Sequence, residues 1–249
     1  MRVTHCLLCN STDLTKTIDL GLHPLADMFL KKEELGETEE RYPLEVLLCG
    51  ECGHSMLSYI VPPEKRYQEH DYSYDSENSK VSVDHFKELA ASITEKESVG
   101  PGDLVVDIGS SVGTLLSAFR NQCNAHILGI EPAHNIAEIA QENGVETLNE
   151  FWGPFSADVV IARGGAKVIT MTNAFNHIGD LNAFMHEINR ALKPNGVFVV
   201  EVPYLLPLVE KLAFDTIYLE HTSYFAVKPL ASYLKRQGMV IANIEEHDY

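Results

Sequence analysis

The stretch LVVDIGSSVG at residues 104–113 decides the fold of this 249-residue chain. Its first half is a continuous apolar run, as in a strand that is buried on both faces. Its second half is a turn of small residues, and residues 114–122 (TLLSAFRNQ) continue in a helical pattern. A strand, a glycine-bearing turn and a helix in this order predict a βα unit whose turn lets a ligand approach the backbone closely.

The same alternation continues towards the C-terminus. Four further apolar runs are predicted as strands and are separated by helical patterns: 126–132, 145–148, 166–173 and 197–203. Strands that alternate with helices of this length predict βαβ units around a buried parallel sheet. The fold prediction is therefore an α/β, Rossmann-like domain over residues 99–249. A helix over 79–98 is expected to link it to a small N-terminal module at 1–78.

An acidic residue ends the second predicted strand. Glu131 lies about 20 residues after Gly109, where a carboxylate can accept both hydroxyl groups of an adenosine ribose. A site for a nicotinamide dinucleotide calls for glycine at position 111, and this chain has Ser111. The D-x-G-x-x-x-G spacing looks instead like that of class I S-adenosylmethionine-dependent methyltransferases. A Rossmann-like domain that binds no nucleotide is the alternative interpretation.

Four of the five cysteines form two CxxC pairs. In a cytoplasmic chain thiols stay reduced, so paired CxxC motifs favour a metal site over a disulfide framework. Asn10 and Gly53 follow the pairs, and both residue types tolerate the left-handed backbone that a zinc knuckle needs. Reduced cysteines without metal, or a redox pair, are the alternatives. The prediction is a closed structural Zn²⁺ site with four thiolate ligands: Cys6, Cys9, Cys49 and Cys52.

The charge balance argues against one class of partner. The chain has 36 acidic and 19 basic residues, for a net charge of −17. Such a surface repels a phosphate backbone, so no nucleic-acid partner is expected. No apolar run approaches the roughly 18 residues of a membrane span, and the N-terminus lacks a signal-peptide pattern. The chain is expected to be cytoplasmic, with no membrane partner.

Several longer motifs make the sequence similar to a known family: YPLEVLLCGECG (42–53), DYSYDS (71–76), DIGSSVGTLL (107–116), GIEPAHNIAEIA (129–140), TNAFNHIGDL (172–181), EVPYL (201–205) and FDTIYLEHTSYF (214–225). Together with the CxxC pairs, they resemble the zinc-containing, S-adenosylmethionine-dependent C-methyltransferases of deoxysugar nucleotides. The resemblance covers almost the whole chain. It implies a zinc module beside a Rossmann-like core, and a nucleotide-sugar substrate that is methylated at a carbon next to a ketone.

The resemblance also implies the site residues. Carbon becomes nucleophilic when a proton is removed beside a carbonyl, so the enzyme needs a base and a donor for the enolate oxygen. His221 is expected as the base, oriented or polarised by Glu220. Tyr72, Tyr218 and His177 are expected as donors around the sugar. The expected contacts with S-adenosylmethionine lie in the glycine loop and at strand ends: Asp107, Gly109, Ser110, Gly113, Glu131, Pro132 and Asn173.

The chain departs from the family pattern at three places. The family loop reads more like E-I-G-x-N-D-G, whereas Ser111-Val112 precede Gly113 here, and Leu219 stands where the family tends to have histidine. Family members also continue beyond Tyr249, so the chain is expected to be C-terminally short. Two other functions stay open at this point. One is an RNA methyltransferase with a zinc module, which the net charge disfavours. The other is a methyltransferase-like binding protein with weak or no catalytic activity.

Overall fold

The computed structural model describes residues 1–73, 75–77 and 79–247; Tyr74, within the motif at 71–76, lies outside them. The strands, in chain order, are β1 (Leu14–His23), β2 (Tyr42–Cys49), β3 (Ser55–Leu57), β4 (Leu104–Ile108), β5 (His126–Ile130), β6 (Thr147–Leu148), β7 (Ala166–Thr172), β8 (Leu192–Glu201) and β9 (Ser223–Tyr224). The α-helices are α1 (Pro63–Tyr67), α2 (Lys80–Glu97), α3 (Thr114–Cys123), α4 (His134–Glu142), α5 (Pro154–Ala162), α6 (Leu181–Ala191), α7 (Leu205–Glu210) and α8 (Val227–Arg236).

A five-stranded parallel sheet carries the C-terminal part of the chain, in the order β6-β5-β4-β7-β8. Every residue of the central strand β4 is buried, which explains why it is a continuous apolar run except for Asp107. Successive residues of β4 belong to different apolar clusters. Val105 shares a cluster with Phe86 of α2 and Phe119 of α3, and Val106 shares one with Ile188 of α6. Helices therefore cover both faces of the sheet, and the predicted α/β Rossmann-like fold is confirmed.

A second, antiparallel sheet lies in the N-terminal part, in the order β1-β2-β3-β9. Its last strand comes from the far end of the chain, where Ser223 pairs with Met56 and Tyr224 with Ser55. The apolar cluster beside this sheet likewise combines N-terminal side chains such as Leu44 with Leu219. The N-terminal part is thus completed by residues within the range predicted for the methyltransferase domain. The division into 1–78, 79–98 and 99–249 itself stays a prediction.

The strand bounds differ from those that the sequence suggested, most clearly in two strands. The third strand of the parallel sheet shrinks to Thr147–Leu148. The last one begins at Leu192 rather than 197, because the turn residues Pro194, Asn195 and Gly196 form an irregularity within the strand, with Asn195 at a φ of 64°. Among the described residues, no helix combines the length and the apolar character that a bilayer crossing requires. The cytoplasmic location stays a prediction.

Candidate functional site

The turn between β4 and α3 is the centre of the site. Gly109 has a φ of +71°, and its backbone N–H donates to the carbonyl of Ile130 at 2.8 Å, which ties the turn to the end of β5. A Cβ at Gly109 would lie 3.2 Å from that of Ala174, in the loop after β7. Both the left-handed backbone and this close approach explain why glycine occupies the position.

Gly113 has a different role from the one expected of it. It does not line the cavity described below. A Cβ there would come within 2.6 Å of the Val145 side chain, and its φ is +86°. The residue is therefore glycine because the start of α3 packs against the segment before β6. The expectation that Gly113 contacts the cofactor finds no support in its position.

Glu131 closes β5 with a carboxylate that is 5% exposed. One carboxylate oxygen accepts from the Ser111 N–H at 3.0 Å and the other from the Ala133 N–H at 2.9 Å. Burial raises the pKa of Glu131 to about 7, against the effect of these two backbone donors. Each carboxylate oxygen has a second lone pair, so Glu131 can still accept hydrogen bonds from a pair of ligand hydroxyls.

Asp107 and Ser110 are buried beside this carboxylate. The Thr170 hydroxyl donates to Asp107 at 2.7 Å, and burial raises the pKa of Asp107 to about 7. The Ser110 hydroxyl oxygen is buried and has no hydrogen-bond partner within the described residues. A buried hydroxyl without a partner costs about 1–3 kcal/mol, which a polar ligand group would remove.

One large cavity, with a volume of about 1050 Å³, brings the two predicted sets of residues together. Its wall holds six of the expected cofactor residues and four of the expected catalytic ones: Asp107, Gly109, Ser110, Glu131, Pro132 and Asn173, with Tyr72, His177, Tyr218 and His221. The loops at the carboxyl ends of β4, β5 and β7 form one side of it, where ligands bind in open α/β sheets.

His221 is held at both ring nitrogens. Its Nδ1 lies 2.9 Å from the carbonyl oxygen of Thr216, which can only accept, so Nδ1 carries the hydrogen. Nε2 is then the lone-pair nitrogen of the neutral ring, and the Tyr218 hydroxyl donates to it at 2.6 Å. Burial lowers the pKa of His221 to about 4. The ring is therefore neutral near pH 7 and presents an unprotonated nitrogen at the cavity wall.

His177 lies in a short 3₁₀ turn after β7, with its ring centroid 5.2 Å from that of His221. Its Nδ1 lies 2.7 Å from the phenol oxygen of Tyr67. Nε2 is buried and has no partner in the described part of the chain. Burial and the nearby His221 and Arg66 side chains hold the pKa of His177 well below its usual value of 6.5, so this ring is neutral as well.

Tyr72 also lines the cavity. The Asn135 side chain binds the backbone N–H and C=O of Tyr72 at 3.1 and 3.0 Å, which fixes Tyr72 against α4. Its ring stands edge-on to that of Tyr67, with centroids 5.1 Å apart. Tyr72 thus lines the same cavity as Glu131 and the two histidines.

Glu220 is the expected catalytic residue that the structure does not bring to the others. It is 2% exposed, and its carboxylate accepts from the Ala26 N–H at 3.2 Å. It lines a minor pocket beside Asp27 rather than the large cavity. The expectation that Glu220 orients His221 is wrong in its geometry, because Thr216 and Tyr218 occupy the two ring nitrogens.

Sequence reasoning missed the residues that α1 contributes. Tyr67 and Arg66 line the cavity, together with Asp27, Phe151 and Trp152. The only local signal was Pro62-Pro63, because proline at the first helical positions is typical of a helix start. Nothing in the sequence indicated that this short helix faces His177.

The four cysteines of the CxxC pairs come together as predicted. Their sulfur atoms all lie within 4.8 Å of one another, with Cys6–Cys52 and Cys9–Cys49 separations of 3.6 Å. Zn–S bonds of about 2.3 Å put the sulfurs of a tetrahedral site about 3.8 Å apart, so the cluster fits a zinc ion with modest adjustment.

The turns around the cysteines repeat each other. Asn10 and Gly53 adopt φ values of 63° and 78°, and their N–H groups donate to the carbonyls of Cys6 and Cys49, both at 2.9 Å. His54 is not a fifth ligand: its Nε2 contacts the Ser223 hydroxyl at 3.2 Å, and its ring stacks on Phe225. The site is thus a closed, structural one made of two knuckles.

Two family models match the chain. Residues 82–243 match the family described as a methyltransferase domain, and residues 6–67 match a zinc binding domain family. The first match spans more than half of the sequence. The chain belongs to the methyltransferase domain family. The cofactor of this domain is S-adenosylmethionine. The carboxylate oxygens of Glu131 can accept hydrogen bonds from its ribose hydroxyls, and the Ser110 hydroxyl, which has no partner among the described residues, can bind another of its polar groups.

A relative of this chain is the C-methyltransferase NovU of Streptomyces niveus. The two sequences are 30% identical over 247 residues, which is 99% of this chain and 58% of the relative. The chain therefore spans little more than half the length of that relative.

Solved structures share the fold of the methyltransferase domain of this chain. One is phosphoethanolamine N-methyltransferase 2 of Haemonchus contortus in complex with S-adenosyl-L-methionine, with a TM-score of 0.50 and 14% identity over 74% of this chain and 46% of that one. Another is a methyltransferase of Haloferax volcanii in complex with the Trm112 methyltransferase activator, with a TM-score of 0.50 and 20% identity over 64% of this chain and 77% of that one. Identities this low establish the fold and nothing finer.

Proposed function

We propose that this protein transfers a methyl group from S-adenosylmethionine to a carbon atom of a keto-deoxysugar nucleotide, through an enolate. The observation that carries the proposal is the shared cavity, which has Gly109 and Glu131 on one side and Tyr218, His221 and His177 on the other. When bound, S-adenosylmethionine supplies an electrophilic methyl group on a positively charged sulfur. The residues of the chain have to supply the carbon nucleophile.

His221 is proposed to remove the proton beside the ketone. Its Nε2 carries a lone pair and faces the Tyr218 hydroxyl. A bound ketone oxygen competes for the same phenol hydrogen, and as negative charge develops on that oxygen the competition favours it. Tyr218 then donates to the enolate oxygen, and Nε2 of His221 becomes available for the substrate proton.

His177 and Tyr72 are proposed as further groups around the ketone. The Tyr67 phenol hydrogen has the His177 Nδ1 as its partner among the described residues, so Nε2 of the neutral His177 ring carries the hydrogen. That N–H is buried without a partner in the same part of the chain. An enolate oxygen is the kind of acceptor that would satisfy it.

The sugar nucleotide is proposed from the motifs that the chain shares with deoxysugar C-methyltransferases. The similarity to a protein named as a C-methyltransferase supports carbon as the accepting atom. The net charge of −17 supports a small molecule over RNA. The substrate is expected to bind next to Tyr72, which lines the same cavity as Glu131 and the two histidines.

Deuterium exchange tests the proposal. A keto-sugar nucleotide in heavy water, with S-adenosylhomocysteine as a non-transferring cofactor product, should incorporate deuterium at the carbon beside the ketone. His221→Asn should abolish both this exchange and methylation, because an amide cannot accept the proton at neutral pH. His134→Asn, a change to an exposed histidine, is the matched control and should keep both.

Two results would contradict the proposal. Full exchange with loss of methylation in His221→Asn would place the base elsewhere, with His177 the next candidate. Absence of both exchange and methyl transfer in the wild-type protein, at saturating cofactor, would mean that the chain binds its ligands without turning them over.

A further inference from the structure

The last two residues of α1 contact His177 and the backbone carbonyl of Glu220, the residue before His221. Arg66 and Tyr67 end the segment that matches the zinc binding domain family, at residue 67. The histidines lie more than a hundred residues later, in the methyltransferase domain. A short helix of the zinc module therefore reaches into the reaction site of the other domain.

Tyr67 acts on the ring of His177. Its phenol oxygen lies 2.7 Å from Nδ1, and the two rings are nearly parallel, at 14°. Burial raises the pKa of Tyr67 to about 12, so the phenol keeps its hydrogen. A neutral imidazole has one protonated nitrogen, and the hydrogen bond made by one nitrogen decides which form is present. A phenol that donates to Nδ1 selects the form with hydrogen on Nε2.

Arg66 acts on the backbone at both histidines. Its guanidinium donates 3.2 Å hydrogen bonds to the carbonyl of Glu220, the residue before His221, and to the carbonyl of His177. The side chain is buried, and its charged end lies over the Tyr67 ring, 5.2 Å from the centroid. A planar fork of donors can hold two carbonyls at a fixed spacing, which a lysine ammonium cannot do in the same way.

We propose that Tyr67 and Arg66 are positioning residues for methyl transfer: Tyr67 sets the tautomer of His177, and Arg66 sets the spacing between the His177 and His221 segments. The inference rests on the proposed function, because it assigns the two residues to the same reaction. Neither side chain donates or accepts the transferred groups. Tyr67 acts through His177, the proposed donor to the enolate oxygen, and Arg66 acts through the backbone at His177 and next to His221.

A purely structural role predicts something different. If Tyr67 only packs the interface between α1 and the loops, its replacement lowers the stability of the protein and leaves the His177 tautomer of the folded molecules unchanged. The tautomer therefore separates positioning from packing for Tyr67, and it is measurable without substrate. If Arg66 only packs there, Arg66→Lys lowers the stability and leaves kcat per folded molecule unchanged.

The first test is nitrogen NMR of the zinc-loaded, full-length protein labelled with ¹⁵N-histidine. The signals of His177 are assigned by their loss in His177→Asn. In wild-type protein Nε2 should be protonated and Nδ1 should not. In Tyr67→Phe the shift difference between the two nitrogens should fall below roughly half of its wild-type value, because no donor selects one form. Tyr59→Phe removes a phenol of the same module that does not line the cavity, and it should leave the His177 signals unchanged.

The second test is steady-state kinetics with keto-sugar nucleotide. Tyr67→Phe should lower kcat roughly tenfold, as expected when one buried hydrogen bond to a reacting group is lost, with KM within about twofold. Arg66→Lys keeps the charge but loses the fork, so kcat should fall while the His177 tautomer stays as in the wild type. Arg41→Lys, at an exposed arginine of the same module, is the matched control.

The outcomes keep the inference and the proposed function apart. Wild-type-like nitrogen shifts in Tyr67→Phe, or hydrogen on Nδ1 in the wild-type protein, overturn the role of Tyr67. Unchanged kcat in Arg66→Lys overturns the role of Arg66. If the tautomer behaves as stated while the wild-type protein neither exchanges nor methylates the keto-sugar nucleotide, the proposed function fails and the control of His177 by Tyr67 stands.

Discussion

The phenol oxygen of Tyr218 lies 2.6 Å from Nε2 of His221, and the other nitrogen of that ring is bound to the Thr216 carbonyl. The orientation of His221 is therefore set by its own loop and not by Glu220. In the proposed mechanism, the hydroxyl that faces Nε2 also donates to the ketone oxygen of the substrate. One hydrogen thus connects the proposed base to the proposed binding of the enolate.

Tyr218→Phe should separate these two roles. Nε2 of His221 loses its hydrogen-bond donor but keeps its lone pair, so proton abstraction continues at a reduced rate. We expect deuterium exchange to fall by roughly ten- to a hundredfold, since one donor to the enolate oxygen is worth about 1–3 kcal/mol. Mass spectrometry of the recovered substrate measures the rate. Exchange that disappears as completely as in His221→Asn would show that Tyr218 itself takes the proton.

Cys49→Ser should remove the zinc ion and loosen the N-terminal module. Four thiolates close the site, and the loss of one leaves a weaker set of ligands whose binding energy no longer stabilises the fold. The zinc content, measured by metal analysis, should fall well below one equivalent per chain. A protease under limiting conditions should cleave within residues 1–70. Cys123→Ser, at the cysteine outside the cluster, should retain both metal and protease resistance. A metal-free variant with unchanged proteolysis would mean that the module folds without zinc.

Glu131→Ala should weaken the binding of S-adenosylmethionine. The change removes the proposed acceptor of the ribose hydroxyls and leaves them unpaired in a buried place, at a cost of about 1–3 kcal/mol. Calorimetry should show a loss of affinity of roughly tenfold or more. Glu150→Ala, a change at an exposed position nearby in sequence, is the control. An affinity within about twofold of wild type would reject the assignment of Glu131 to the ribose.

Gly113→Ala should destabilise the fold more than it affects binding. The added Cβ meets Val145 at 2.6 Å, and the φ of +86° is unfavourable for any side chain. We expect the free energy of unfolding to fall by about 1–3 kcal/mol in denaturant titrations. Gly100→Ala adds a methyl group in open space at an ordinary φ, and should be close to neutral. A loss of cofactor affinity without a loss of stability would show that Gly113 belongs to the cofactor site.

Asp107→Asn should change how stability depends on pH. Burial raises the pKa of Asp107 to about 7 from 3.8, so the folded protein holds a proton that the unfolded chain has lost. The stability contributed by this group is present below about pH 4 and is lost as pH rises towards 7. The variant should therefore gain about 2–4 kcal/mol relative to wild type between pH 4 and pH 8. Denaturation at several pH values measures this difference.

The part of the fold with local patterns was predictable from the sequence. The apolar run of β4 and the turn at Gly109 predicted the parallel sheet and the end of it where ligands bind, since strand–turn–helix patterns involve neighbouring residues. The zinc site was also predictable, because the spacing of the cysteines and the positions of Asn10 and Gly53 indicate the turns of the knuckles.

The parts that depend on distant contacts were not predictable. The pairing of Ser55 with Tyr224 has no local pattern, because each strand segment is only two or three residues long. Glu220 stands next to His221 in sequence, yet the backbone turns its carboxylate towards Ala26. Tyr67 lies in no motif, and its place beside His177 follows only from the packing of α1 against the cavity.

The pairing of β9 with β3 also has a consequence for the newly synthesised chain. His54 and Ser223, which contact each other beside this pairing, are 169 positions apart. At the usual speed of a ribosome, on the order of 10–30 s separate their emergence. The four cysteines of the zinc cluster are made before that interval begins, so the zinc knuckles can form early. The edge of β3 stays unpaired until β9 has been made. The segment with Tyr218 and His221 docks in the same late step, so the cavity becomes complete only after residues 218–225 have emerged from the ribosome.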